Sequence, residues 1–197
     1  MDPDYLLQHQ IRSCLQCPLG PIRDADGALG APAEVGTIYT RGGLALMAEA
    51  PGKDEAKLGR PFVGKAGKLL DSMCREAGID RSEVVLLNRV RCRPPGNRLQ
   101  DHPEALLACD PWLLAELEAY DPRVVVLMGK TAMSLMFGVN PAVGQLAGYM
   151  RVTVPDSPYG GRIWVATYHP AAVLRTPGLR GIVVRDLAAA ADETLPF

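Results

Sequence analysis

The chain lacks several features that would place it in a large class of proteins. No apolar run reaches the roughly 18–20 residues of a membrane-spanning helix. The opening stretch, MDPDYLLQHQ, carries acidic side chains where a secretory signal peptide carries basic ones, so we expect no export and a cytoplasmic location. With a formal net charge of −1, the chain also lacks the basic excess of proteins that coat nucleic acid. The distribution of charge therefore says more about partners than its sum.

Short apolar runs predict the strands of a sheet, and they are Leu44–Ala50, Val84–Val90, Val124–Gly129 and Ile163–His169. Each run is almost continuously apolar, which is typical of parallel strands buried on both faces. Apolar residues at helical spacing follow the strands over Ala66–Ala77, Pro103–Tyr120, Thr131–Phe137 and Leu179–Glu193. This alternation predicts an α/β/α sandwich around a four-stranded, mostly parallel sheet.

The rest of the chain shows no linker, repeat or change in composition, so we predict a single domain over residues 1–197. Residues 1–17 read as a short helix that runs into Cys14. Residues 18–43 are rich in Gly and Pro and predict a loop with room for a hairpin.

Polar residues follow the predicted strands where each strand ends. Sites in open α/β sheets form at the carboxyl ends of strands, so we expect a site at this edge. The segments that would form it are Glu49-Ala50-Pro51-Gly52, Asn88-Arg89-Val90-Arg91-Cys92, Gly129-Lys130 and His169-Pro170.

Cysteine is present in five copies, of which Cys14 and Cys17 form a Cys-x2-Cys pair. Cytosolic proteins rarely keep structural disulfides, so this spacing indicates metal or redox chemistry. Cys92 lies in a polar, Pro-rich segment and joins Cys109 as a second pair, whereas Cys74 lies on the apolar side of a predicted helix and reads as core. Four thiolates suit either a zinc ion or an iron–sulfur cluster, and spacing alone does not choose between them.

Three longer motifs resemble the family 4, thermostable-type, uracil-DNA glycosylases. They are AEAPGKDEAKLGRPFVGKAGKLLD (48–71), NRVRCRPPGNR (88–98) and YHPAAVLR (168–175). The resemblance covers nearly the whole chain, apart from a poor match over residues 18–43. It implies a uracil-DNA glycosylase-like fold and an enzyme that hydrolyses the N-glycosidic bond of uracil in DNA to start base excision repair. The implied partner is uracil-containing DNA, single- or double-stranded, bound by a monomer.

The resemblance also implies a cofactor. The family's four cysteines hold a [4Fe-4S] cluster, which here would be bound by Cys14, Cys17, Cys92 and Cys109. In the family the cluster is thought to order loops beside the DNA and to take no part in hydrolysis.

Residue types suit the roles that such a reaction needs. Phe62 suits stacking on a flipped base, and the amide of Asn88 matches the donor and acceptor edge of uracil. His169 suits stabilisation of the departing uracil anion. Each residue also has a plain structural reading, as a core aromatic, a strand-end cap and a core histidine respectively.

Carboxylates and backbone groups complete the predicted site. Glu49 and Glu55 are candidates for orienting or activating water, with a solvated loop as the alternative reading. In family 1 glycosylases an Asp does this work, at the position where this chain has Ala50. The Ala50-Pro51-Gly52 turn is predicted to offer backbone groups to uracil, because Gly52 permits close approach. Candidate phosphate contacts are Arg91, Arg93, Arg98 and Arg175.

Three other functions remain open at this stage. Ala48 and Ala56 stand where the family usually has Gly and an acidic residue, which leaves room for a non-catalytic iron–sulfur module that binds DNA or senses damage. A branch that forms a stable covalent link to the uracil site would need a basic run near His102 that this chain lacks. A dithiol redox protein would not need Cys92 or Cys109.

Overall fold

The computed structural model describes residues 3–153 and 158–194. Its centre is a six-stranded sheet with the order β1-β3-β2-β4-β6-β5. The strands are β1 (Glu34–Val35), β2 (Leu44–Ala48), β3 (Val84–Asn88), β4 (Val124–Met128), β5 (Met150–Val152) and β6 (Ile163–Thr167). The helices are α1 (Pro3–Arg12), α2 (Leu19–Ala25), α3 (Lys53–Leu58), α4 (Lys65–Glu76), α5 (Glu104–Tyr120), α6 (Lys130–Phe137), α7 (Val143–Leu146), α8 (Pro170–Arg175) and α9 (Arg180–Asp192).

The four central strands run parallel, as the sequence predicts. Two short strands, β1 and β5, extend the sheet at its edges in antiparallel orientation and were not predicted. Strands of two or three residues carry too little pattern to be read from sequence. The fold class is confirmed, with these two edge strands as an addition.

The predicted strands extend beyond the observed ones at their carboxyl ends. The run predicted as Leu44–Ala50 is a strand only to Ala48, and the run predicted to His169 leaves the sheet after Thr167. The residues beyond those points are the ones predicted to form the site.

Alternate residues of the central strands pack on opposite faces of the sheet, which is the geometry of a pleated strand. On one face, Leu46 and Val126 join a core completed by α4 and α9. On the other, Met47 and Val125 join a core completed by α5 and α6. Burial on both faces explains why the strands read as continuous apolar runs.

The long helices confirm their predictions within a residue or two at each end. The sequence analysis did not predict α2, which lies in the segment predicted as a loop. It also did not predict the short helices α3, α7 and α8. Residues 1 and 2 of the predicted N-terminal helix lie outside the described residues. Across residues 3–153 and 158–194, no helix combines the length and apolar character that crossing a bilayer requires.

Candidate active site

A cavity of about 600 Å³ opens at the carboxyl edge of the sheet. The chain passes from β2 to β3 on one side and then returns to place β4 on the other side of β2. This reversal of strand order is where open α/β sheets place ligands. Every residue predicted to contact uracil lines the cavity: Glu49, Ala50, Gly52, Phe62, Asn88 and His169, with Glu55 beside them.

His169 lies between β6 and α8 and caps that helix. Its Nδ1 accepts a hydrogen bond from the backbone N–H of Ala171 at 3.0 Å. Burial, with a smaller contribution from the positive charge of Arg175, lowers the pKa of His169 to about 4. The ring is therefore neutral at pH 7, and because Nδ1 is an acceptor, the proton sits on Nε2. The side chain is a hydrogen-bond donor on a wall of the cavity.

Gly129 allows the histidine to reach this position. It directly follows β4 and has a positive φ of 86°. A Cβ placed on Gly129 would lie 2.9 Å from the Cβ of His169. Any larger residue would push the two segments apart. The sequence signal was a Gly directly after an apolar run, but nothing in the sequence connects Gly129 with His169.

Asn88 ends β3 and is almost completely buried, with its side chain on the cavity. Its backbone carbonyl accepts a hydrogen bond from Arg91. Within the described part of the chain, its side-chain amide makes no hydrogen bond, and it is not among the polar atoms sealed from solvent, so it is open to the cavity. A buried amide that faces a cavity without a protein partner is suited to pairing with a polar ligand.

Phe62 belongs both to the core beneath the sheet and to the cavity lining. Its φ is 54°, in the left-handed region that bulky residues rarely adopt. Such a conformation costs on the order of 1–3 kcal/mol and persists only where the surroundings impose it. Phe62 packs in the core and also lines the cavity, so its interpretation as a core aromatic is compatible with its interpretation as a stacking residue.

Glu49 follows β2 directly, and its carboxylate accepts a hydrogen bond from the hydroxyl of Thr131 at the start of α6. Its backbone carbonyl accepts from the N–H of Val90 at 2.9 Å, which continues the pairing of β2 with β3 past the end of the sheet. Both bonds fix Glu49 at the cavity wall. Thr131 was not predicted as a site residue, because only the fold brings it beside Glu49.

Glu55 is held differently from Glu49. Its Oε1 accepts the backbone N–H of Gly64 at 2.8 Å, at the N-terminus of α4. A Cβ at Gly52 would lie 2.6 Å from Oε2 of the same carboxylate. The carboxylate thus bridges the two ends of the loop, and Gly52 leaves room for it. Glu55 lines the cavity but is engaged in holding the loop closed.

The structure corrects the prediction that Arg91 contacts DNA phosphate. Its side chain is buried and pairs with Glu116, while its Nη1 donates to the carbonyls of Asn88 and Arg89. Glu116 in turn accepts the N–H of Ala33 at 2.7 Å. Arg91 is a buried brace between β3 and α5, and a phosphate cannot reach it.

The other predicted phosphate contacts differ in exposure. Arg175 is exposed and lines the mouth of the cavity. Arg93 is half-buried and donates to Asn97 at 2.9 Å, and Arg98 is exposed and pairs with Asp101 at 2.9 Å. Three exposed lysines also line the cavity, and they are Lys53, Lys65 and Lys130. Of these, only Lys130 lies in a segment that the sequence predicts to form the site.

A third apolar cluster, which we call the cysteine corner, gathers the predicted metal ligands. Cys92 and Cys109 are buried in it, and Cys17 packs against them. Its remaining members are Leu19, Val90, Leu99 and Ala105, with Ala50 and Leu106 packed against the cluster. Cys14 is near enough for its charge to act on Cys109. Cys74 belongs to α4 and is buried in the core between that helix and the sheet, as predicted.

Two N–H donors point at the sulfurs of this corner. Arg23 donates to Sγ of Cys92 at 3.6 Å, and the indole of Trp112 donates to Sγ of Cys14 at 3.2 Å. Burial raises the pKa of the Cys92 thiol to about 11, against the lowering effect of Arg23. Among residues 3–153 and 158–194, no three His, Cys, Asp or Glu side chains are arranged to hold a metal ion.

Comparison with known proteins identifies the family. The sequence model of the uracil DNA glycosylase superfamily matches residues 40–188. The type-4 uracil-DNA glycosylase of Thermotoga maritima is 36% identical over 185 residues, which cover 92% of this chain and 90% of that protein. That of Pyrobaculum aerophilum is 36% identical over 192 residues, with the same coverage of 92% and 90%. The type-4 enzyme of Archaeoglobus fulgidus is 39% identical over 139 residues, 70% of this chain and 69% of that protein.

The chain therefore belongs to the uracil-DNA glycosylase superfamily. Within that superfamily it is a member of the type-4 uracil-DNA glycosylases. The family predicted from the three motifs is confirmed.

Proposed function

We propose that this chain is a monofunctional uracil-DNA glycosylase that hydrolyses the N-glycosidic bond of uracil in DNA and so starts base excision repair. The relatives named type-4 uracil-DNA glycosylases support the activity. The observation that carries the proposal is one cavity that joins a neutral histidine donor, an oriented carboxylate and a buried amide that has no partner among residues 3–153 and 158–194.

The substrate must leave the DNA stack to reach this cavity. Flipping a nucleotide out of a duplex costs a few kcal/mol, and stacking on an aromatic side chain recovers roughly 1–3 kcal/mol. Phe62 provides the aromatic, held in a fixed backbone conformation on the cavity wall. The mouth of the cavity carries Arg175 and Lys53, whose charges suit the flanking phosphates of single- or double-stranded DNA.

Asn88 supplies selectivity for uracil. Its amide offers one donor and one acceptor, which pair with O4 and N3–H of uracil. Cytosine presents the reverse pattern and would leave buried polar groups without partners. The backbone of Ala50-Pro51-Gly52 forms the adjoining wall and is open to further contacts with the base.

His169 stabilises the leaving group. As the N-glycosidic bond breaks, N1 departs with the electron pair and negative charge spreads onto O2 of uracil. The Nε2–H of a neutral imidazole donates to that oxygen without giving up its proton, and the bond strengthens as charge develops. The backbone N–H of Ala171 fixes the tautomer that makes this possible.

Glu49 acts on the sugar side of the bond. Positive charge develops on the deoxyribose, and a carboxylate held by Thr131 stabilises it and orients the attacking water. The water oxygen bonds to the anomeric carbon, and its proton passes to solvent or to the carboxylate. The products are an abasic site and the uracil anion, which takes up a proton from solvent to become free uracil. Glu55 holds the loop that carries these groups.

Cys14, Cys17, Cys92 and Cys109 are the proposed ligands of a [4Fe-4S] cluster. The donor set fits: four sulfurs converge on one largely apolar corner, and two N–H groups are directed at sulfur. A cluster of several atoms spreads its ligands further apart than one ion does, so the lack of a single-ion arrangement among the described residues is compatible with it. When bound, the cluster would tie the N-terminal segment to the rest of a single domain, residues 1–197, that acts as a monomer.

The reaction is tested with a DNA oligonucleotide that contains one uracil. Purified protein is incubated with it, and alkali then converts each abasic site into a strand break. We expect breaks with the natural protein and a rate lower by roughly 10²–10³-fold in His169→Ala, the loss typical of removing one anion-stabilising donor. His102→Ala is the matched control, because His102 does not line the cavity.

A negative result has a definite meaning in this experiment. A protein that binds the oligonucleotide and carries its cluster but releases no uracil is not a glycosylase. The non-catalytic iron–sulfur module would then be the correct function.

A further inference from the structure

Phe62 is strained, and the residues that impose the strain lie outside the cavity. Its φ of 54° is unfavourable for an aromatic residue, so its neighbours must over-determine it. One of them is Gly67 in α4, where a Cβ would lie 1.9 Å from the carbonyl oxygen of Phe62. The helix backbone therefore presses directly against the strained residue, at a position that admits no side chain.

Arg81 holds the same carbonyl from the other direction. Its Nη1 donates to the carbonyl of Phe62 at 3.1 Å, and its Nη2 donates to the carbonyl of Pro61 at 3.2 Å. A guanidinium is a planar fork with donors in fixed directions, so bridging the carbonyls of Pro61 and Phe62 fixes the relative orientation of the two peptide units that flank the Cα of Phe62. The φ and ψ angles of Phe62 define that relative orientation.

Carboxylates in turn anchor the guanidinium. Nη1 of Arg81 pairs with Asp71 at 2.9 Å, and Nη2 pairs with Glu34 at 3.2 Å. Glu34 also pairs with Arg60 at 3.0 Å. Burial raises the pKa of Glu34, but its bonds and charge interactions with the two arginines lower it overall, so it is ionised. Arg81 thus joins β1 and α4 to the loop that carries Pro61 and Phe62.

We infer that Arg81 is a positioning residue for base stacking, acting through the backbone of Phe62. It is not among the residues that line the cavity, so it does not touch the base. Its function is to hold the aromatic ring in the orientation that receives uracil. This inference rests on the proposed glycosylase activity.

The first test replaces the guanidinium while keeping its charge. Arg81→Lys retains a cation for Asp71 and Glu34, but an ammonium cannot bridge two carbonyls as a fork does. We expect single-turnover uracil release to slow by roughly ten- to a hundredfold, the loss that small misplacements cause. Inhibition by free uracil should weaken in the same variant. Arg60→Lys is the control. The side chain of Arg60 also pairs with Glu34, but the hydrogen bonds to the carbonyls of Pro61 and Phe62 come from Arg81.

A double-mutant cycle then asks whether Arg81 acts through Phe62. In a Phe62→Leu background there is no aromatic to position, so Arg81→Lys should slow the reaction by less than twofold further. Equal losses in both backgrounds would overturn the inference, as would a loss in Arg60→Lys equal to that in Arg81→Lys. Absence of activity in the natural protein would instead refute the proposed function.

Stability is measured alongside, by thermal unfolding of each variant. If Arg81→Lys unfolds well below the natural protein, Asp71→Asn replaces it in the cycle, since it loosens the same guanidinium and leaves Arg81 in place. The same dependence on Phe62 is expected, and additive losses contradict the inference for this variant as well.

Discussion

The cavity and the cysteine corner adjoin each other, yet they are built in opposite ways. The cavity holds polar groups that have no partner among the residues described by the structure, namely the amide of Asn88 and Nε2 of His169. The corner surrounds its sulfurs with apolar side chains and directs N–H donors at them. The cavity is suited to a ligand that binds and dissociates, whereas the cysteine corner is suited to a permanently bound group.

The two regions meet at a short segment of backbone. Ala50 lines the cavity and also packs against the corner, and the carbonyl of Glu49 accepts the N–H of Val90, a member of the corner. The cysteine corner therefore helps to hold the backbone of Glu49 and Ala50 in place at the cavity. Loss of a group that faces the ligand should alter mainly the rate, whereas damage in the corner should alter stability first.

The largest expected effect separates the two cavity glutamates. Glu49→Gln keeps the shape and removes the charge facing the sugar, so we expect uracil release to slow by roughly 10²-fold or more with unfolding unchanged. Glu55→Gln should lower the unfolding midpoint and slow the reaction less, because its carboxylate holds the N–H of Gly64. Single-turnover rates and thermal melts on both variants give the comparison. The reverse ranking of rates would show that Glu55 is the carboxylate that acts on water.

The proposed role of the cysteine corner as a cluster site is tested by replacing one buried cysteine inside it and one outside it. Cys92→Ala should abolish the visible absorbance of the cluster and lower the unfolding midpoint. Cys74→Ala removes an equally buried thiol from the sheet core and should cost only roughly 1–2 kcal/mol, with absorbance intact. Absorbance spectra and melts are recorded on freshly purified protein. Full absorbance in Cys92→Ala would remove Cys92 from the ligand set.

Binding of the DNA backbone gives a smaller effect. Arg175→Ala should weaken binding of uracil DNA and reduce the slope of log affinity against log salt by about one. Arg98→Ala should have less effect, because Arg98 already pairs with Asp101. Titrations at several salt concentrations measure both slopes. Identical slopes for Arg175→Ala and the natural protein would mean that Arg175 contacts no phosphate.

The dependence of stability on pH is a separate comparison, and it arises in the cavity. The pKa of His169 is about 4 in the folded chain and 6.5 as a free side chain, so the unfolded state binds more protons between these values. The free energy of unfolding should fall as pH drops from 6.5 to 4, and His169→Gln should flatten that decline. Denaturant melts across this range measure it. An unchanged decline in the variant would mean that other groups cause it.

The sequence predicted the central strands well because burial on both faces leaves an uninterrupted apolar signal. It predicted His169, Asn88 and Phe62 as lining residues because each stands just past a strand or in a loop of unusual composition. It did not predict the contact of Thr131 with Glu49 or that of Gly129 with His169, because these contacts join segments far apart in the chain. It placed Arg91 at the surface, although Arg91 pairs with Glu116 in the interior. Charge pattern alone does not reveal a buried partner.

By itself, the sequence determined the parallel sheet, the edge at which the site forms, the chemical types of the side chains there and the family. These follow from local composition and order along the chain. Only the tertiary structure decided which group holds each cavity carboxylate, which arginine is a buried brace, and that Arg81 donates to the backbone carbonyl of Phe62. The physical reason is that hydrogen bonds and ion pairs depend on distances between segments, which are set by packing.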